Sequence, residues 1–145
     1  FTASLLHDIG KTLLAVAAPD EFLKATFEAT EKNRPQYLAE RSILRTDHAE
    51  VGARLLRRWG FPPNLCAAVG FHHEPAAARE HVRLAASVCL ANVLAYRVDG
   101  PLALPEYVVF PDARALREWG LTQPALTPMV EEARREFERL RERFR

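Results

Sequence analysis

From end to end, this 145-residue chain repeats its apolar side chains at the spacing of an α-helix, with prolines and glycines cutting the repeat into lengths. Phe1, Leu5, Leu6, Ile9 and Leu13 place a helix over residues 1–17, interrupted by Gly10. Pro19-Asp20 punctuates, and Asp20 is read as the cap of a helix carrying Phe22, Leu23 and Phe27. Asn33-Arg34-Pro35 breaks that helix, and another runs from Gln36 to Arg45. Asp47 and Glu50 stand at capping-box spacing ahead of a helix whose stripe is Val51, Leu55, Leu56 and Trp59. Gly60-Phe61-Pro62-Pro63 then leads into a helix from Asn64 to His73. After Glu74-Pro75, a helix from Ala78 to Arg97 turns Leu84, Val88, Ala91 and Leu94 inward.

Val98 to Asp112 breaks the pattern with Gly100, Pro101, Pro105 and Pro111, and reads as a long ordered loop. Tyr107-Val108-Val109-Phe110 is its one extended piece, packed on the core. Asp112 caps a short helix that Gly120 closes. The last helix repeats Leu126, Val130, Ala133, Phe137, Leu140 and Phe144 at alternating four- and three-residue steps. That stripe fits docking on the domain, the commoner outcome, or a homodimer. The expected fold class is all-α: a multi-helix domain of about six to seven helices with one long ordered loop.

Length and composition are those of one globular domain with a real core. A formal net charge of +1 excludes a broad electrostatic footprint for nucleic acid or for an anionic membrane. No stretch reaches the roughly 18 apolar residues that span a bilayer, and no signal-peptide pattern is present. Cys66 and Cys89 sit among apolar residues with no C-x-x-C spacing, which reads as buried reduced thiols and a cytoplasmic setting. The chain opens on an uncapped apolar stripe, so the natural protein is expected to extend upstream.

Four of the five histidines stand in company that a divalent metal could use: His7 beside Asp8, His48 at a helix start, and His72 beside His73. Imidazole with one carboxylate suits zinc, iron, manganese or nickel better than calcium or magnesium. Neighbours on a helix diverge by about 100°, so His7 and Asp8 serve one site only if that site straddles the helix. Gly10 would let another backbone or a ligand approach closely. Lys11, four residues after His7 on nearly the same face, could meet a phosphate oxygen. His48 alone reads as a solvated or capping residue, whereas the His72-His73 pair at a helix end reads as ligands. His81, in the charged run Arg79-Glu80-His81, is assigned to solvent.

Leu5-Leu6-His7-Asp8-Ile9-Gly10-Lys11 resembles the signature of the HD superfamily of metal-dependent phosphohydrolases. Within that superfamily the chain is similar to the HDOD domain, the HD-related output domain, a bacterial module found in signalling proteins. The similarity runs through Asp47-His48-Ala49-Glu50-Val51-Gly52-Ala53, Leu55-Leu56, Trp59-Gly60-Phe61-Pro62, His72-His73, Leu90-Ala91-Asn92 and the Gly120-Leu121 corner. It implies a single HDOD-like domain over residues 1–145, with an HD core over 1–97, a C-terminal loop and helices over 98–145, and an N-terminal helical lobe lacking. Carried over from catalytic relatives such as the HD-GYP cyclic-di-GMP phosphodiesterases, His7 and Asp8 are ligands with Asp8 bridging. His48, His72 and His73 hold a second ion, and Lys11 faces a phosphate.

Three features depart from those catalytic relatives. They place a further histidine upstream of the HD pair, where only six residues precede His7. They place an aspartate where this chain has Asn92, a poorer ligand for a transition metal. Glu74-Pro75-Ala76 follows His72-His73 in place of an Asp-Gly-x-Gly-Tyr-Pro loop. The leading reading is therefore a signalling or regulatory module, with a structural or vestigial metal, that works through signalling proteins or upstream sensor and effector domains. The competing reading is a metal-dependent phosphohydrolase acting on a nucleotide or cyclic dinucleotide, with Asp8 and Lys11 as its catalytic groups. The cofactor is one or two divalent transition-metal ions or none; in the last case the histidines merely hydrogen-bond one another.

Overall fold

Alanine and glycine line the closest helix contacts, and small side chains let helix axes approach. The computed structural model describes residues 1–99 and 113–143, and no strand occurs among them. The all-α expectation holds. The extended piece Tyr107–Phe110, the capping Asp112 and Phe144 lie outside the described residues.

The first expected helix is two: α1, Thr2–Leu6, and α2, Ile9–Ala17. The break falls at His7-Asp8 rather than at Gly10, with Asp8 at φ −99°, ψ 7°. Gly10 has another task. A Cβ there would overlap the carbonyl of His48 and stand 2.9 Å from the amide nitrogen of Gly52. Only a bare backbone lets α2 lie this close across α5, His48–Arg58.

In α3, Pro19–Glu31, Pro19 occupies the first turn and Ala18 the cap position, so Asp20 lies inside the helix rather than capping it. Ala25 and Ala29 pack on Ala39 of α4, Gln36–Leu44, while Leu23 and Phe27 face outward. Arg45 closes α4 in the left-handed region, at φ 61°. Asp47 then caps α5 as expected, its Oδ1 accepting the Glu50 amide at 2.8 Å. The buried face of α5 is His48, Ala49, Gly52, Ala53 and Leu56; Trp59 is 58% exposed.

The next helix, α6, spans Pro63–Gly70 and stops short of the histidine pair. A 3-10 segment over Pro75–His81 precedes α7, Val82–Asp99. α7 is central: Val88 packs with Ala3 and Ala68, while Leu90 packs with Leu116 and Leu126. Those last two residues belong to α8, Ala113–Glu118, and α9, Gln123–Arg143. Of the α9 stripe, Leu126 docks on the domain, with Met129 beside it off the stripe, and Leu140 further along is exposed. No helix of the described residues is long and apolar enough to cross a membrane.

Candidate functional site

Where α1 stops, the chain turns and aims His7 and Asp8 inward together. A continuous helix would have splayed them; the break removes that conflict. His7 stays tied to α1, its Nδ1 bonding the carbonyl of Ser4 at 2.7 Å. Beyond the end of α6, His72 and His73 also stand outside a regular helix, with ring centroids 3.9 Å apart. Nδ1 of His72 bonds the carbonyl of Val69 at 2.7 Å. His48, at the first position of α5, is buried against Glu40 of α4. One carboxylate oxygen of Glu40 accepts both the His48 amide at 2.8 Å and its Nδ1 at 2.6 Å.

These three anchors have one chemical consequence. A carbonyl can only accept, so each Nδ1 facing one carries the hydrogen, and a neutral ring then presents its lone pair at Nε2. The Nε2 atoms converge on Asp8. His48 Nε2 is 3.3 Å and His72 Nε2 3.9 Å from Asp8 Oδ1, and His7 Nε2 is 3.5 Å from Oδ2. His73 Nε2 stands 2.8 Å from His48 Nε2, and its ring stacks on Tyr37 at 4.4 Å and 9°. Lys11 donates to Asp8 Oδ2 at 2.6 Å. Arg41 braces the rim, holding Asp47 and, at 2.7 Å, Glu74 just after the pair.

Electrostatics sort the protons. Burial raises the Asp8 carboxyl, but the His48 ring facing it and the Lys11 and His7 charges outweigh burial and hold it well below the usual carboxylate range. Burial pushes His48 down, yet the facing Asp8 carboxylate and the bond to Glu40 bring it above the ordinary histidine value. His72 is lowered to about 4, chiefly by burial and then by His48 and His7. Burial also lowers His73, helped by His72 and His48. His72 and His73 are thus neutral, the form in which imidazole binds metal.

The residues present fit a transition-metal ion. His7 Nε2, Asp8 Oδ1 and His72 Nε2 are buried without a hydrogen-bond partner, which is costly unless something satisfies them. Ligand atoms of His7, Asp8 and His72, and likewise of His48, His72 and His73, lie within 4.8 Å of one another. All five residues singled out as ligands therefore meet, and Lys11 joins them. Asn92, half-buried on α7, makes no hydrogen bond to the cluster among the described residues. His81 faces away, pairing with Glu80 at 3.5 Å.

Sequence reasoning passed over Glu40 and Tyr37. A signal for Glu40 existed: Ile43 and Leu44 follow it at helical spacing, so the carboxylate sits on an apolar face. Such a group is buried only with partners.

Residues 1–75 match the family model described as the HDOD domain, a span that includes every residue of the cluster. A protein of Treponema pallidum (strain Nichols) described as uncharacterized is 32% identical over 101 residues, 69% of this chain. The match covers 20% of that relative's length. No solved structure matches the chain significantly.

Proposed function

This chain belongs to the HDOD domain family, and from that premise we propose that it is a regulatory module whose His/Asp cluster holds one or two divalent transition-metal ions, iron, manganese, zinc or nickel. The observation that carries the reading is the convergence of imidazole Nε2 atoms on one buried carboxylate oxygen that lacks a partner. His7, Asp8 and His72 would hold one ion, and His48, His72 and His73 another, with His72 common to the two groups. Ligands drawn from the α1–α2 corner, the start of α5 and the segment after α6 would make ion binding a clamp on the HD core, and binding free energy at such a site becomes folding free energy. The natural audience for that clamp is a signalling protein or a sensor or effector domain.

One observation favours a second reading, a phosphohydrolase acting on a nucleotide or cyclic dinucleotide. Lys11 keeps its ammonium beside Asp8 while its side chain is 26% exposed, so it can reach an anion as well as its carboxylate partner. A bound ion would supply Lewis acidity for a phosphoryl oxygen there. Lys11 positions the phosphate and Asp8 keeps Lys11 in place.

Metal analysis of protein purified without a histidine tag tests the first reading: near-stoichiometric iron, manganese, zinc or nickel is expected, lost in Asp8→Ala. Metal-free protein that takes up none of these ions overturns both readings. Turnover of bis(p-nitrophenyl) phosphate with added manganese, abolished by Asp8→Ala, selects the phosphohydrolase. Bound metal without turnover selects the regulatory clamp.

A further inference from the structure

Glu40 belongs to neither group of metal-capable side chains, yet it is fully buried and spends one oxygen on two donors of a single residue. Holding the His48 amide alone would make it a second cap for α5. Holding Nδ1 as well fixes the ring, because an oxygen already accepting an N–H from the backbone can also accept one from the imidazole. Nδ1 then carries hydrogen and Nε2 is left facing Asp8 and His73. His7 and His72 are steered by main-chain carbonyls. His48 is steered by a side chain.

We propose that Glu40 is the positioning residue of the metal centre, setting both the orientation and the tautomer of His48. The inference rests on the reading of the cluster as a metal site. Carboxylates that accept from the far nitrogen of a ligating histidine align the ring and raise its basicity, and their removal typically weakens metal binding ten- to hundredfold. Free imidazole of histidine prefers its hydrogen on Nε2, so the arrangement here is one the protein has to impose.

Two measurements test this. On metal-free protein at alkaline pH, two-bond nitrogen–proton correlation spectra report which ring nitrogen of His48 carries hydrogen, assigned by its loss in His48→Gln. Titration of zinc against a chromophoric chelator reports affinity. The wild-type chain is expected to show the Nδ1–H form. Glu40→Ala is expected to revert to Nε2–H and bind zinc ten- to hundredfold more weakly. Glu40→Gln keeps an acceptor oxygen and so keeps the tautomer, with a smaller loss. Should the alanine variant fail to fold, Glu40→Met fills the same space without an acceptor and decides in the same terms. Persistence of Nδ1–H without an acceptor at residue 40, or zinc affinity within about twofold of wild type, overturns the proposal. A wild-type chain that takes no zinc would instead sink the metal reading, while the spectra of the metal-free protein still judge Glu40.

Discussion

Gly10 and His48 touch through their backbones: a single methyl group on residue 10 would occupy the space of the His48 carbonyl. Their contact joins the helix that follows Asp8 to the helix that His48 begins, so the spacing of two proposed ligands is set by an absent side chain. The obstacle to a Cβ is main chain on both sides, from His48 and Gly52, and cannot swing aside. Gly10→Ala is therefore expected to cost about 3 kcal/mol or more in urea denaturation of the metal-free protein. A midpoint unchanged from wild type would show that α2 and α5 are further apart than described.

Metal removal has a thermal signature. Ions bound only by the folded chain stabilise it by about 2.7 kcal/mol at a hundredfold excess over Kd. Adding zinc to chelator-stripped protein is expected to raise Tm, and the rise should disappear in His72→Ala, because His72 belongs to both ligand groups. Equal rises in the two proteins would remove His72 from the site.

Acid is expected to destabilise the metal-free protein before any carboxylate of ordinary pKa titrates. His72 is lowered from 6.5 to about 4, so the unfolded chain binds its proton first as pH falls. The stability it contributes is complete above pH 6.5 and is lost progressively down to about 4, for a total of about 3 kcal/mol. His73 shifts in the same direction. His48 is raised, and its contribution is lost only as pH climbs above 6.5, outside this window. Asp8, held low, loses its contribution only below 3.8. Urea midpoints between pH 7 and 4 check the slope, which His72→Gln should flatten. A flat wild-type profile would contradict the buried, neutral ring.

Tyr37 holds His73 by face-to-face stacking rather than by its hydroxyl. Tyr37→Phe is expected to leave zinc affinity intact, whereas Tyr37→Leu should weaken it about fivefold, the worth of an aromatic pair near 1 kcal/mol. Equal losses in both variants would assign the role to the hydroxyl instead.

Much of this was legible from residue order alone. The helical periods, the Asp47 cap and the left-handed Gly60 and Gly120 are local features, written in short stretches of chain. His7, Asp8, His72 and His73 stood out by their pairing in sequence, whereas His48 and the role of Lys11 came from the resemblance to the HD superfamily. What escaped depends on partners distant in the chain. Trp59, Leu23 and Phe27 sit on apolar stripes yet face outward, while Ala25, Ala29, Ala49 and Ala53 are the buried residues of the same helices. The break at His7-Asp8 carries no proline or glycine to mark it in the sequence. Glu40 acquires its meaning from a residue eight positions later, across a turn.

That turn gives the centre an unequal set of hinges. Ser4 and Val69 grip their imidazoles from within the same turn of chain, so those two rings keep their aim even if neighbouring helices drift. Glu40 grips from a different helix, and its hold lasts only while α4 and α5 keep register. A partner that levered α4 outward would withdraw Glu40 from His48 and Tyr37 from His73 together, while His7 and His72 stay held within their own turns. Hydrogen exchange at the His48 amide, shielded by Glu40 in the intact register, would record the event.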